Sequence, residues 1–181
     1  MANPEQLKLL KSGIETWNKW RKMNPDAKVD LSSAYLYKAD LHGANLRAAD
    51  LAETDFRKAN LKKADLTGAS APGAYFEEAS LVGASLVEGD LADAIFREAD
   101  LTKANLSHAD LFRAALNNAI LIKTNFTGAD LTGASLRGTD LKEANLTEAN
   151  LMEVNFFGAD LSGVDLGNLD LYGADFLTPT S

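Results

Sequence analysis

Ala129-Asp130-Leu131-Thr132-Gly133-Ala134-Ser135-Leu136-Arg137-Gly138 is one five-residue unit written twice: a small apolar residue, a short polar one, a large apolar one, and two more ending in Gly. Working outward, the register holds in both directions. Every fifth residue from Leu31 to Phe176 is Leu or Phe, with Ala71 the one exception, so that 30 positions hold 23 Leu and 6 Phe. Two residues before each of these stands Ala at 22 of the 30 units, and between the two columns Asp, Asn or Ser stands at 25 of 30.

The order small apolar, polar, large apolar has the period of an extended strand with one buried face. Two further residues intervene before the next Ala, and they are turn material. Gly fills the second of them in 10 of 30 units. A type II turn needs φ > 0 at that place, which Gly supplies without steric cost. Pro72-Gly73 places both preferred residues of that turn in a single unit. Each unit is therefore expected to be a short strand piece followed by a corner.

A slower rhythm sets the number of corners per coil. Phe56, Phe76, Phe96, Phe156 and Phe176 are separated by multiples of twenty, and Tyr35, Tyr75, Ile95 and Ala115 depart from the polar column at one shared phase. Twenty residues are four units, so the chain returns to the same side after four corners. The expectation is an all-β solenoid, a quadrilateral β-helix of about seven and a half coils spanning residues 29–178. Coils paired at about 4.8 Å give a rod roughly 35 Å long. Each centre Leu or Phe, fully buried, is worth about 1.5–3 kcal/mol before entropy is charged. The Ala column is narrow because the strand pieces converge on the axis. The Asp/Asn/Ser column faces outward, where such side chains bond nearby turn backbone. In such a stack each coil stabilises its neighbours, and open ends need covers.

With units such as Ala129 to Gly133 and Ala59-Asn60-Leu61-Lys62-Lys63, the sequence resembles the pentapeptide-repeat proteins over about 150 of its 181 residues. That resemblance implies a right-handed coil; periodicity alone does not set the hand.

Residues 1–28 lie outside the repeat and read as a helical cap. Asn3 suits an N-cap and Pro4 the first helical position. Leu7, Leu10, Ile14 and Trp17 then share one helical face, and Asn24-Pro25 ends the run. That face is expected to cover the first coil. This leader resembles those of cyanobacterial members of the family. Trp17 and Trp20 read as core rather than as a ligand-stacking pair. At the other end, Gly167 and Leu169 suggest an irregular last coil. A tail, residues 179–181, follows, with Pro179 placed to block strand addition. A monomer, or an end-to-end dimer through the C-terminal coil, fits that end.

Composition narrows the function. The chain carries 46% apolar residues and no Cys, which excludes a disulfide frame, a thiolate metal site and a Cys nucleophile. Met1 to Gly13 is too polar for a signal peptide and no long apolar run exists, so the protein reads as soluble and cytoplasmic. Residues 1–28 hold six Lys/Arg against three Asp/Glu, and the remainder 12 against 23. An acidic rod does not bind nucleic acid along its length. His42 and His108 fall on different sides, no phosphate-cradling Gly loop occurs, and no insertions interrupt the units, so neither an enzyme nor a cofactor or metal site is expected.

Two function classes remain. One is a non-catalytic rod that presents a patterned side to a protein partner. The side of the Phe stack is the candidate, with Tyr35, Tyr37, Arg57, Lys58, Tyr75, Ile95 and Arg97 outward, since Tyr and Arg anchor many interfaces. The competing reading of these residues is a stacking ladder that strengthens the sheet. The other class follows from the resemblance, which implies a DNA mimic acting on a DNA-binding enzyme such as a topoisomerase. The acidic rod agrees with it, whereas scattered cations such as Lys62, Lys63, Lys103 and Lys123 do not.

Overall fold

The computed structural model describes residues 1–176. The five-residue unit translates directly into backbone bonding. Leu31 N–H donates to Asp50 O at 2.8 Å, Ser33 N–H to Ala52 O at 2.7 Å, and Asp50 N–H to Val29 O at 2.8 Å. The same three bonds recur along the chain, each joining residues about twenty apart. Parallel bridges run Asp30 to Asp50, Tyr35 to Asp55, Asp40 to Asn60 and Asn45 to Asp65, and continue upward in four series. The expected strand piece contracts to a single bridging residue, the polar one, between two buried neighbours.

The corner closes by a bond from Ala34 N–H to Leu31 O at 3.0 Å. Ser33, the third residue of that turn, has φ 56°, and Ser32 before it does not have positive φ. A positive φ at the third residue alone is the type II arrangement. The same conformation recurs whether or not Gly is present: among the described residues 18 non-Gly residues take it, with φ between 51° and 60° at the limits set by Ala48 and Lys58. None of the 18 is Val, Ile or Thr, the side chains that the left-handed region tolerates least.

Four sides result, named here by the residues at their centres: side 1 (Leu31, Leu51 and every twentieth residue to Leu171), side 2 (Leu36 to Phe176), side 3 (Leu41 to Leu161) and side 4 (Leu46 to Leu166). From Leu31 to Phe156 the centre column and the Ala column are buried, with Ala39, beneath the cap, only partly so. Inside side 2, Phe56 and Phe76 stack at 5.0 Å between ring centroids, and Phe76 and Phe96 at 4.6 Å. Thr54 and Thr124, replacing Ala, donate their hydroxyls to Leu31 O and Leu101 O at 2.8 Å, so neither adds an unsatisfied polar atom to the core. Outside, the polar column bonds its own corner: Asp110 Oδ1 accepts from Phe112 N–H at 2.9 Å.

The cap departs from expectation. The apolar spacing predicted one run, but two helices form, α1 (Pro4–Lys11) and α2 (Ile14–Met23). Gly13, at φ 133°, separates them. Asn3 caps α1 as expected, accepting from Glu5 and Gln6 N–H. Leu10 and Trp17 are buried, and Leu7 and Ile14 are partly buried. Trp17 packs tilted on Trp20 at 5.3 Å and donates its indole N–H to Asn45 O at 2.9 Å.

The final coil loosens. Among the described residues Asp165 and Asp170 form no bridge to the coil below, and the bridge series resumes at Asn155 to Asp175. Asn168 is the one corner from Ser33 to Gly173 without positive φ. A hollow of about 340 Å³ opens there, lined by Thr147, Glu148, Asp165, Gly167, Asn168 and Leu169. The boundary at residue 178, the tail 179–181 and the role of Pro179 lie outside the described residues.

Candidate protein-binding surface

Side 2 carries the residues singled out from the sequence. Its bridge column runs Tyr35, Asp55, Tyr75, Ile95, Ala115, because residues twenty apart stack. Tyr35 is 62% exposed and Tyr75 38%, whereas Ile95 and Tyr37 are half-buried. Tyr35 and Tyr37 flank Leu36 and lie with ring centroids 6.0 Å apart. Arg57, one coil up, sits with its guanidinium carbon 6.0 Å from the Tyr75 ring centroid.

Two basic members of this strip, Arg57 and Lys58, are held in ion pairs. Arg57 donates from Nε and Nη2 to the two Asp55 oxygens at 2.9 and 2.7 Å. That pairing holds the Asp55 carboxyl below the usual carboxylate range, with burial opposing it. It also raises the Arg57 guanidinium. Lys58 reaches Glu78 at 3.2 Å, and the Glu78 bond raises the Lys58 ammonium. The strip expected to be apolar and basic is instead apolar and charge-balanced, and side 2 as a whole has no net charge. Asp55, Glu77 and Glu78 stand among the cations, a pairing that reading only the aromatic and basic positions overlooked. Arg97 is exposed in the same column as Arg57, two coils above it.

Charge is segregated by side. Side 1 holds nine Asp or Glu against Arg113 alone, for a net −8. Side 4 is −3, and side 3 is neutral. Summing charges at the twenty-residue phase would have exposed this in the sequence; summing over the whole rod concealed it.

Among the described residues no three His, Asp or Glu side chains approach as a metal-holding group. His42 and His108 lie on sides 3 and 4. A hollow of about 540 Å³ lies on the cap, lined by Pro4, Leu7, Lys8, Lys11 and Ser12, away from the strip. No helix among the described residues is long and apolar enough to cross a membrane.

The family model described as pentapeptide repeats matches in eight copies across residues 27–62, 59–97, 79–117, 109–148 and 149–177. Among curated proteins no match was found. Among solved structures, the chain is similar to HetL, a pentapeptide repeat protein involved in heterocyst differentiation regulation from the cyanobacterium Nostoc sp. strain PCC 7120: 30% identity, covering 82% of this chain and 85% of that one, TM-score 0.31. It is also similar to a pentapeptide repeat protein from the Arabidopsis thaliana thylakoid lumen, at 34% identity over 60% of this chain and 69% of that one, TM-score 0.24. QnrB1, a plasmid-mediated fluoroquinolone resistance protein, aligns at 21% identity over 83% of this chain and 82% of that one, TM-score 0.37. With the repeat model matched across more than four-fifths of its length, the chain belongs to the pentapeptide-repeat family.

Proposed function

We propose that this protein is a non-catalytic, right-handed quadrilateral β-helix of about seven and a half coils, acting as a rigid rod that presents one side to a protein partner. The observation that carries the reading is the exposed column Tyr35 and Tyr75 on a flat side, with Arg57 pinned by Asp55 over the Tyr75 ring. Flat, partly apolar strips suit protein surfaces better than small molecules, which need concave sites. Aromatic and Arg side chains supply the anchoring residues of such contacts. The docking strip on this reading comprises Tyr35, Tyr37, Arg57, Lys58, Tyr75, Ile95 and Arg97. Pairing with Asp55 pre-orders Arg57, which lowers the entropy lost on binding.

The test is affinity capture with the full chain and with a Tyr75→Ala/Arg57→Glu variant, the bound proteins being identified by mass spectrometry. The reading stands if a captured protein recovered with the parent is lost with the variant at unchanged melting temperature. Equal recovery defeats it. A gyrase supercoiling assay tests the duplex-mimic reading: inhibition or protection at micromolar protein would favour it, whereas the uneven charge, −8 on side 1, −3 on side 4 and none net on sides 2 and 3, speaks against a duplex, which is charged all round.

A further inference from the structure

Side 1 offers a surface of different chemistry, independent of the Tyr–Arg strip. Asp90, Asp110 and Asp130 bridge in succession along the rod, so their carboxylates repeat at about 4.8 Å. Each turns Oδ1 inward to its own corner, as Asp90 does to Ala92 N–H at 3.3 Å and Asp130 to Thr132 N–H at 2.9 Å. Like charges stacked directly across neighbouring strands are destabilising. Elsewhere cations relieve such stacking: Lys142 sits between Asp140 and Asp160 at 3.4 and 3.1 Å. Among the described residues the one ion pair on side 1 is Arg113 with Asp93 at 3.7 Å; Asp90 Oδ2 accepts from the Ser70 hydroxyl at 3.2 Å, and no cation pairs with the Asp90–Asp110–Asp130 column among those residues.

Beside that column runs a mainly apolar ridge of Pro72, Ala92 and Phe112, then, past Thr132, of Met152 and Tyr172, with Phe112 42% and Tyr172 72% exposed. A carboxylate column next to an apolar ridge, both straight and parallel to the rod axis, is complementary to a helix bearing a Lys/Arg stripe beside an apolar stripe. One helical turn rises about 5.4 Å against about 4.8 Å per coil, close enough for three or four successive contacts. We propose that side 1 docks a basic amphipathic helix of a partner protein, laid along the rod. A second copy of this chain is a poor occupant, because two chains of net charge −8 repel.

The experiment uses the full chain and a fluorescein-labelled peptide whose helix carries an Arg stripe beside a Leu stripe, followed by fluorescence anisotropy. The variant is Asp90→Asn/Asp110→Asn/Asp130→Asn; Asn occupies the same place in 7 of the 30 units, Asn150 on side 1 among them, where its Oδ1 accepts from Met152 N–H at 3.2 Å, so the corner bonds are retained. A control of equal charge change, Glu88→Gln/Glu98→Gln/Glu148→Gln, lies on sides 2 and 4. The expected result is a loss of roughly ten-fold for the side 1 variant and less than about two-fold for the control, with binding weakened by salt. Phe112→Ala should weaken binding by a further few-fold, and a scrambled peptide of identical composition should bind about as poorly as the peptide does to the variant. Equal losses in the two triple variants, no loss in the first, or equal binding of the scrambled peptide would overturn the proposal. So would salt-sensitive self-association of the rods without peptide binding, which would make a second copy the occupant.

Discussion

Asn18 bonds Asn45 in the way that one coil bonds the next. Its Oδ1 accepts from Asn45 N–H at 2.8 Å and its Nδ2 donates to Gly43 O at 2.9 Å. One coil higher, the corresponding N–H of Asp65 finds a backbone carbonyl, that of Ala44, at 2.9 Å. Gln6 does the same on side 1, accepting from Asp30 N–H at 2.8 Å, and Arg21 donates to Arg47 O at 2.8 Å. Buried Arg21 has its guanidinium lowered by desolvation and then by Arg47. The helices thus close the first edge with polar side chains as well as with Leu10 and Trp17.

Asn18→Ala is therefore predicted to lower unfolding stability by about 1–3 kcal/mol, the cost of leaving part-buried backbone groups unpaired. Urea unfolding checks it; a change below about 0.5 kcal/mol would mean that water replaces the amide freely. Deleting residues 1–24 should leave the coils intact by circular dichroism but make the rod associate through its first edge. A truncated chain that stays monomeric and equally stable would deny α1 and α2 the capping role.

In the middle of the rod, Leu101→Ala should cost about 2–5 kcal/mol, because stacked neighbours above and below cannot collapse into the gap. Leu101 is fully buried and the adjacent Ala104 is 1% exposed. Ala104→Leu should be at least as damaging, through overpacking. Denaturant midpoints decide both, and a loss under about 1 kcal/mol for Leu101→Ala would argue against a tightly packed column.

The repeat made the stacking legible because one residue type recurs at each place, and the twenty-residue phase of Phe56, Phe76 and Phe96 named the side on which they meet. The cap was legible as apolar helix but not as two helices, since Gly13 contributes no apolar signal and its φ of 133° is a backbone property. Arg21 could have been noticed: it lies four residues after Trp17, on the buried face. The candidate strip was legible in position, because stacking fixes which residues align. Its charge balance was not, because Arg57 turns back to Asp55 within its own unit while Lys58 reaches Glu78 in the next coil.

Corners formed by non-Gly residues yield a further prediction. Lys103 has φ 59° and its N–H donates to Ile122 O at 2.9 Å. Lys103→Gly should shift stability by less than about 0.5 kcal/mol, because relief of a left-handed penalty near 1 kcal/mol offsets the added freedom of the unfolded chain. Lys103→Val should cost about 1–3 kcal/mol, a β-branched side chain being strained there. If Val were as stable as Gly, the corner would not be held in the left-handed region.

Asp160 supplies the pH prediction. Its carboxyl is drawn down to about 2, first by the Ser162 hydroxyl, then by the Ser162 N–H and Lys142. A carboxyl whose pKa is lower in the folded chain stabilises it above the unfolded value, near 3.9. That contribution fades as pH falls from about 4 towards 2. Carbon-detected NMR titration should find Asp160 titrating near 2, and Ser162→Ala should move it upward towards the ordinary Asp value. An unmoved midpoint in Ser162→Ala would remove the hydroxyl as the leading cause.

Tyr75 and Arg57 separate a binding strip from a stacking ladder. Tyr75 bridges Asp55 below and Ile95 above through its backbone, its ring lies under the Arg57 guanidinium, and 38% of the residue stays exposed. Cross-strand contacts of this kind contribute about 0.2–1 kcal/mol, and an exposed ion pair such as Arg57 with Asp55 contributes about 0–1 kcal/mol. If side 2 serves a partner, Tyr75→Ala and Arg57→Glu should change the melting temperature little and abolish recovery of that partner, because truncating a central aromatic or Arg anchor commonly costs 2 kcal/mol or more, about thirty-fold in affinity. Arg57→Glu also sets a carboxylate beside Asp55, which repels and opens the strip without touching the buried Phe56 or Phe76. Should both substitutions instead lower the melting temperature by several degrees and leave recovery intact, the column is a stacking ladder, and side 1 is then the surface on which a partner must be sought.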